Sequence, residues 1–167
     1  MLTHAGPQGL TIDALCQQLA VTKGSFYHHF AGYDDFKASL LTFYEQEGTL
    51  QIIDQLADIP TPQGKLKQLI EIIVATSTRF VVYPEIAIRA WGLHDRAVRE
   101  VQMRVDSRRL AYVQSLCQEI TGDARQAQLM SQMLYAILVG SEQMQPPLRG
   151  DDLRALFDEY LRVYRLT

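Results

Sequence analysis

"LAVTKGSFYHHF", residues 19–30, decides the reading of the fold. It reads as the end of one helix, a tight turn at Val21, and a second short helix capped by Thr22. Val21 precedes the cap and Phe26 lies four residues into the helix, which is the hydrophobic-staple arrangement. Leu10 and Leu15 stand in the same relation to Thr11, the N-cap of the preceding helix, with Asp13 in its positively polarised first turn. Successive helical residues are about 100° apart, so Phe26 and Phe30 share a face and can close a small core with Ile12, Leu15 and Leu19. Gly24, Ser25 and His28, flanked by Tyr27, fall on the opposite face.

That outer face is short, polar and flat at its beginning. It suits a helix whose N-terminal end enters a DNA major groove, where small residues let the backbone approach and free amides meet phosphate. The alternative is a purely structural corner, since the same geometry also occurs without nucleic acid.

Working outward, apolar residues recur at helical spacing almost throughout, and strand-like alternation is absent, which predicts an all-α chain. Gly6-Pro7-Gln8-Gly9 ends whatever helix Met1 to Ala5 belongs to. A second helix runs from the Thr11 cap to about Ala20, and a third from Lys23 to Phe30. A fourth spans Tyr33 to Ala57, after an Ala31-Gly32 hinge. Thr61-Pro62 opens a fifth with the stripe Leu66, Leu69, Ile70, Ile73, Thr76, Ser77, Phe80. Pro84 breaks that pattern before a short sixth helix from Glu85 to about His94. Asp95 caps a long seventh ending near Gly122, Asp123 begins an eighth that stops at Pro146-Pro147, and a last helix runs from Asp151 or Asp152 to Arg165. The division is an N-terminal module over residues 1–48 and a larger helical domain over 49–167.

The 167 residues carry a net charge of −3. All of that deficit sits in residues 1–50, where Lys23 and Lys37 face Asp13, Asp34, Asp35, Glu45 and Glu47. No segment forms the basic stripe of a strong nucleic-acid binder. Cys16 and Cys117 are widely separated, without metal or disulfide spacing, and read as two buried reduced thiols. No apolar run reaches the roughly 20 residues of a membrane span, and Met1 opens no secretory stretch, so the cytoplasm is the expected location.

The run "GLTIDALCQQLAVTKGSFYHHFAGYDDF" resembles the DNA-binding module of the TetR family of bacterial transcriptional regulators, with a small-residue helix, a turn, and a Tyr-x-x-Phe pair at Tyr27 and Phe30. The resemblance implies a homodimeric regulator, most simply a repressor released from a double-stranded DNA operator by a small-molecule effector. Thr22, Lys23, Gly24, Ser25, Tyr27 and His28 would then face DNA, with Tyr27 on phosphate and Phe30 in the core. Two features depart from the family pattern. A full first helix with a basic arm normally precedes the Gly-Pro-Gln-Gly turn, and a basic residue commonly stands where Tyr33 is. The short first helix suggests a truncated N-terminus and, with the acidic balance of the module, keeps open a second reading, a dimeric small-molecule-binding protein that no longer binds DNA.

In the larger domain, "QAQLMSQMLYAILVGSEQMQ" is apolar around most of its circumference, as a helix buried on both sides should be. With the last helix it suggests a four-helix dimer interface using Met130, Leu134, Ile137, Leu138, Ser141, Leu153, Phe157, Tyr160 and Tyr164, where small Ala136, Gly140 and Ser141 allow close approach. The alternative is that both helices cap their own subunit's core.

Polar groups interrupting apolar stripes, Thr76, Ser77, Thr78, Arg89, His94, Arg109 and Tyr112, mark a candidate ligand pocket with Phe80, Trp91 and Met133 as its walls. Each has a structural alternative, with Thr and Ser bonding back to their helix, Arg89 and Arg109 pairing with Glu85 or Asp106, and Trp91 in the core. No Glu-x-x-His pair or Gly-rich phosphate loop supports an enzyme, and the adjacent His28 and His29 cannot share a metal. Catalysis, metal and cofactor are therefore not expected.

Overall fold

The computed structural model describes residues 2, 6–79 and 84–166. All regular structure among them is helical, and no strand is present. A 3-10 turn, Pro7–Gly9, precedes α1 (Ile12–Leu19), α2 (Lys23–His29) and α3 (Tyr33–Glu45). Helix α3 continues through a π-helical segment, Gln46–Leu50, into α4 (Gln51–Gln55). The larger part comprises α5 (Pro62–Ser77), α6 (Pro84–Gly92), α7 (Arg96–Thr121), α8 (Ala124–Gln143) and α9 (Gly150–Val163). Apart from Leu2, the expected helix at Met1 to Ala5 lies outside the described residues.

Cap chemistry sets most starts. The side chains of Thr11, Thr22, Thr61, Asp95 and Asp123 each accept from the amide three residues on, at 2.8–3.2 Å. Such bonds satisfy amides that a helix N-terminus leaves unpaired. Pro84 opens α6 instead of merely ending the stripe before it, because proline is tolerated where no amide is needed. The expected unbroken fourth helix is interrupted by the π segment, and α8 stops at Gln143, before the two prolines.

The turn between α1 and α2 differs from its expected form. Ala20, not Val21, is the pivot, with a left-handed φ of 53°. Its conformation lets the Val21 amide donate back to the Cys16 carbonyl at 3.0 Å, closing a Schellman motif. Leu19 is 66% exposed instead of buried: the residues that α1 buries are Leu15 and Cys16, and Leu19 sits at its last turn, beside the reversal at Ala20.

Two cores result. Leu10, Leu15, Cys16, Phe26 and Leu41 form the first, with Ile12 and Phe30 at its margin. Ile88 and Trp91 from α6 and Val98 from α7 complete it, so the module boundary at residue 48 is crossed by continuous packing. The second core joins Leu66, Ile70 and Val74 of α5 to Val113 and Cys117 of α7. Met130 and Leu134 of α8, with Leu153 and Phe157 of α9, fill its other side. Each core contains one free, buried cysteine.

Candidate functional site

A buried polar cluster lies where α3, the π segment, α6, α7 and α8 meet. Helical spacing assembles it: Glu85 and Arg89 are four residues apart on α6, while Gln102, Asp106 and Arg109 follow one face of α7. Arg89 grips Asp106 with two hydrogen bonds, 2.9 and 2.8 Å, and lies 3.0 Å from Glu85. Arg109 donates to Glu85 at 3.0 Å, to the Thr49 hydroxyl at 3.0 Å and to the Gly48 carbonyl at 3.1 Å. The Tyr44 hydroxyl donates to Glu85 at 2.6 Å, and Gln102 bridges Glu85 and Asp106 at 2.9 and 2.7 Å. The Tyr135 hydroxyl donates to Asp106 at 2.7 Å and accepts from Arg89 at 3.1 Å. A Cβ at Gly48 would come within 3.2 Å of the Arg109 guanidinium, a tight contact that would push the guanidinium outward.

The cluster holds its charges against desolvation. Burial opposes the charge on Glu85, yet Arg109, the Tyr44 hydroxyl, Arg89 and Gln102 together hold its carboxyl below the usual range. Burial likewise opposes Asp106, which Arg89, Tyr135 and Gln102 hold down. Burial, reinforced by Glu85, pushes Tyr44 far up, and burial raises Tyr135 to about 12. Glu142, from the same face of α8 as Tyr135, is raised to about 7 by burial and by Glu85.

Of the predicted pocket residues, Arg89 and Arg109 are brought together, through the carboxylates that were their alternative partners. Trp91 belongs to the N-terminal core. Tyr112 is half-buried with its hydroxyl unpartnered, Thr76 is half-buried on α5, His94 and Met133 are exposed, and Phe80 lies outside the described residues. Ser77 and Thr78 bond back to their own helix at 2.6 and 3.1 Å. Sequence reasoning missed Tyr44, Thr49, Gln102, Tyr135 and Glu142 as members; the signal was polar side chains at helical spacing on otherwise apolar faces.

On α2, Thr22, Lys23, Gly24, Tyr27 and His28 are exposed and Ser25 is half-buried, while Phe26 packs inward. A shallow cleft of about 520 Å³ runs beside this face between Lys23, Tyr27, Tyr33 and the start of α1. Lys23 is paired with Asp13 at 2.5 Å, and Lys37 with Asp95 at 3.0 Å. Both lysines of the N-terminal module are therefore paired with the chain's own carboxylates, Lys23 in an exposed pair and Lys37 in a partly buried one.

Six of the nine predicted dimer residues are buried in their own subunit: Met130, Leu134, Ser141, Leu153, Phe157 and Tyr160. Ile137, Leu138 and Tyr164 are half-buried against the same core. The apolar surface that α8 and α9 do leave exposed is Leu129, Met133, Leu156 and Val163, with Ala136 and Gly140 continuing the α8 stripe.

Among the described residues no helix is long and apolar enough to cross a membrane, and no group of His, Cys, Asp and Glu is arranged to hold a metal. Set beside family models, curated proteins and solved structures, the chain matches none of them.

Proposed function

We propose that this chain is a TetR-like transcriptional regulator, a homodimer that binds a DNA operator through α2 and is released by a small-molecule effector. The observation that carries this reading is the polar first turn of α2. Thr22, Lys23, Gly24 and Tyr27 stand outward, on a helix anchored from behind by Phe26. Helix α3 runs from that unit directly to the Arg109 cluster, which supports a coupling of the two parts. An effector among α3 and α6–α8 would shift the population toward a form whose two α2 helices no longer match successive major grooves, about 34 Å apart.

The second reading is a dimeric ligand-binding protein without DNA affinity. The pairing of Lys23 with Asp13 and of Lys37 with Asp95 favours it, because phosphate contacts by free cations supply most non-specific affinity. A gel-shift titration against DNA upstream of the chain's own gene separates the two. The regulator gives specific binding that weakens with salt and is abolished by Tyr27→Ala. Absence of binding at low salt overturns it in favour of the second reading.

A further inference from the structure

Glu142 is the unmatched acid of the buried cluster. It is 8% exposed, and its Oε2 is buried without a hydrogen-bond partner. Glu85 and Asp106, by contrast, are each bonded to arginine and to further donors. Arg89 and Arg109 balance those two carboxylates, which leaves Glu142 as a third acid acted on by two arginines. Arg109 meanwhile uses one guanidinium for three tasks: Glu85, the Thr49 hydroxyl and the Gly48 carbonyl.

We propose that Glu142 is a proton-operated control on the grip of Arg109 on the π segment. With its carboxyl protonated, Glu142 adds no charge, and Arg109 stays on Gly48 and Thr49. When the proton leaves to solvent, the new carboxylate competes with Glu85 for the arginines and draws Arg109 from the π segment. That segment continues α3, so the change is delivered to the helix carrying the N-terminal unit.

The charges acting on Glu142 come from two helices: Glu85 repels it and Arg89 attracts it from α6, and Arg109 attracts it from α7. Asp106 on α7 is the fourth ion of the cluster, and Tyr44 on α3 and Tyr135 on α8 itself are its other titratable groups. Arg149 stands on the connection from α8 into α9. Burial and Glu85 set the midpoint near 7, so the control would operate in the neutral range. Gly48 has no side chain, and this leaves room for the Arg109 Nη2 beside the π segment, 3.1 Å from the Gly48 carbonyl.

The inference concerns the cluster that the regulator reading uses for coupling, but its test needs no DNA and stands if DNA binding fails. The full chain, with glutamate labelled at the carboxyl carbon and with backbone amides labelled, is titrated by NMR from pH 5 to 9. One carboxyl resonance should titrate near pH 7 and be missing in Glu142→Gln, and the Gly48 and Thr49 amides should shift with the same midpoint only in the unsubstituted chain. Absence of any carboxyl titrating above pH 6 overturns the proposal. So does a Gly48 or Thr49 response that persists in Glu142→Gln, which would trace it to another group. Should Glu142→Gln not fold, Arg109→Lys serves: the carboxyl midpoint should remain while the response at Gly48 and Thr49 disappears, and its persistence overturns the proposal.

Discussion

Arg109 reaches from α7 to the Gly48 carbonyl, 3.1 Å away and 61 residues earlier in the chain, while another nitrogen of the same guanidinium holds Glu85. A π segment pairs its carbonyls five residues on instead of four, and this bond adds a charged donor to one of them. The same Arg109 guanidinium lies 5.8 Å from the centre of the Tyr44 ring. One residue thus ties α3, the π segment and α6 to α7.

Arg109→Met should therefore destabilise the chain by about 3 kcal/mol or more, as removal of one partner of a buried ion pair does. Arg104→Ala should cost less than about 1 kcal/mol, although Arg104 also pairs with a carboxylate on α3, Glu45, at 2.7 Å. Arg104 is half-exposed and Arg108 keeps Glu45 paired at 2.6 Å. Urea unfolding of the two variants checks the contrast, and equal losses would mean the cluster contributes no more than a surface pair.

Stability should depend on pH in two opposed ways. Glu85 and Asp106 sit below their ordinary range in the folded chain, so the unfolded chain binds their protons first. Their contribution is complete above the ordinary carboxylate range and is lost as pH falls through their lowered folded values. Glu142 has the reverse sign: its folded value is raised from 4.5 to about 7. The unfolded chain then releases that proton first, and the contribution is intact below pH 4.5, falls between 4.5 and 7, and is gone above. Glu142→Gln should consequently be more stable than the unsubstituted chain at pH 8, by about 3 kcal/mol, and no more stable at pH 4. Denaturant melts at both pH values decide it.

What could be read from the sequence was what local chemistry determines. Thr22 and Asp95 cap their helices because a short side chain with an acceptor oxygen, placed before an apolar period, leaves little choice. The fate of an apolar stripe is another matter. Met130 and Leu134 share a face that packing within the subunit or across a dimer would equally explain, and only the placement of α5 and α9 reveals that they are buried at home. The arginines were visible as ion-pair candidates, but their convergence depends on which faces of α6 and α7 meet. Glu142 stands one helical period and more beyond Tyr135 on an otherwise apolar helix, and its burial depends on which elements meet that face.

Ala20 was missed because left-handed turns are usually announced by glycine. An alanine there carries a penalty of roughly 1–2 kcal/mol, offset in part by the smaller entropy its unfolded form loses. Ala20→Gly should therefore stabilise the chain by about 0.5–1 kcal/mol, with helix content unchanged. A fall in thermal midpoint would show that the turn is held by contacts of the Ala20 methyl instead.

The homodimer proposal makes its sharpest claim on α8. Leu129, Met133, Ala136 and Gly140 recur at helical spacing along one line, and Met133 is 47% exposed while its neighbour Met130 is fully buried. A charge at the exposed position should disrupt association without disturbing the core, whereas a charge at Met130 would be desolvated and unpaired and should unfold the chain. Met133→Glu should accordingly give a folded monomer with unchanged helical circular dichroism, and Met130→Glu should lose its cooperative melt. Light scattering on the purified chains reads the first outcome directly. If Met133→Glu leaves a dimer intact, the two-fold contact lies on another face, and α8 and α9 serve only their own subunit.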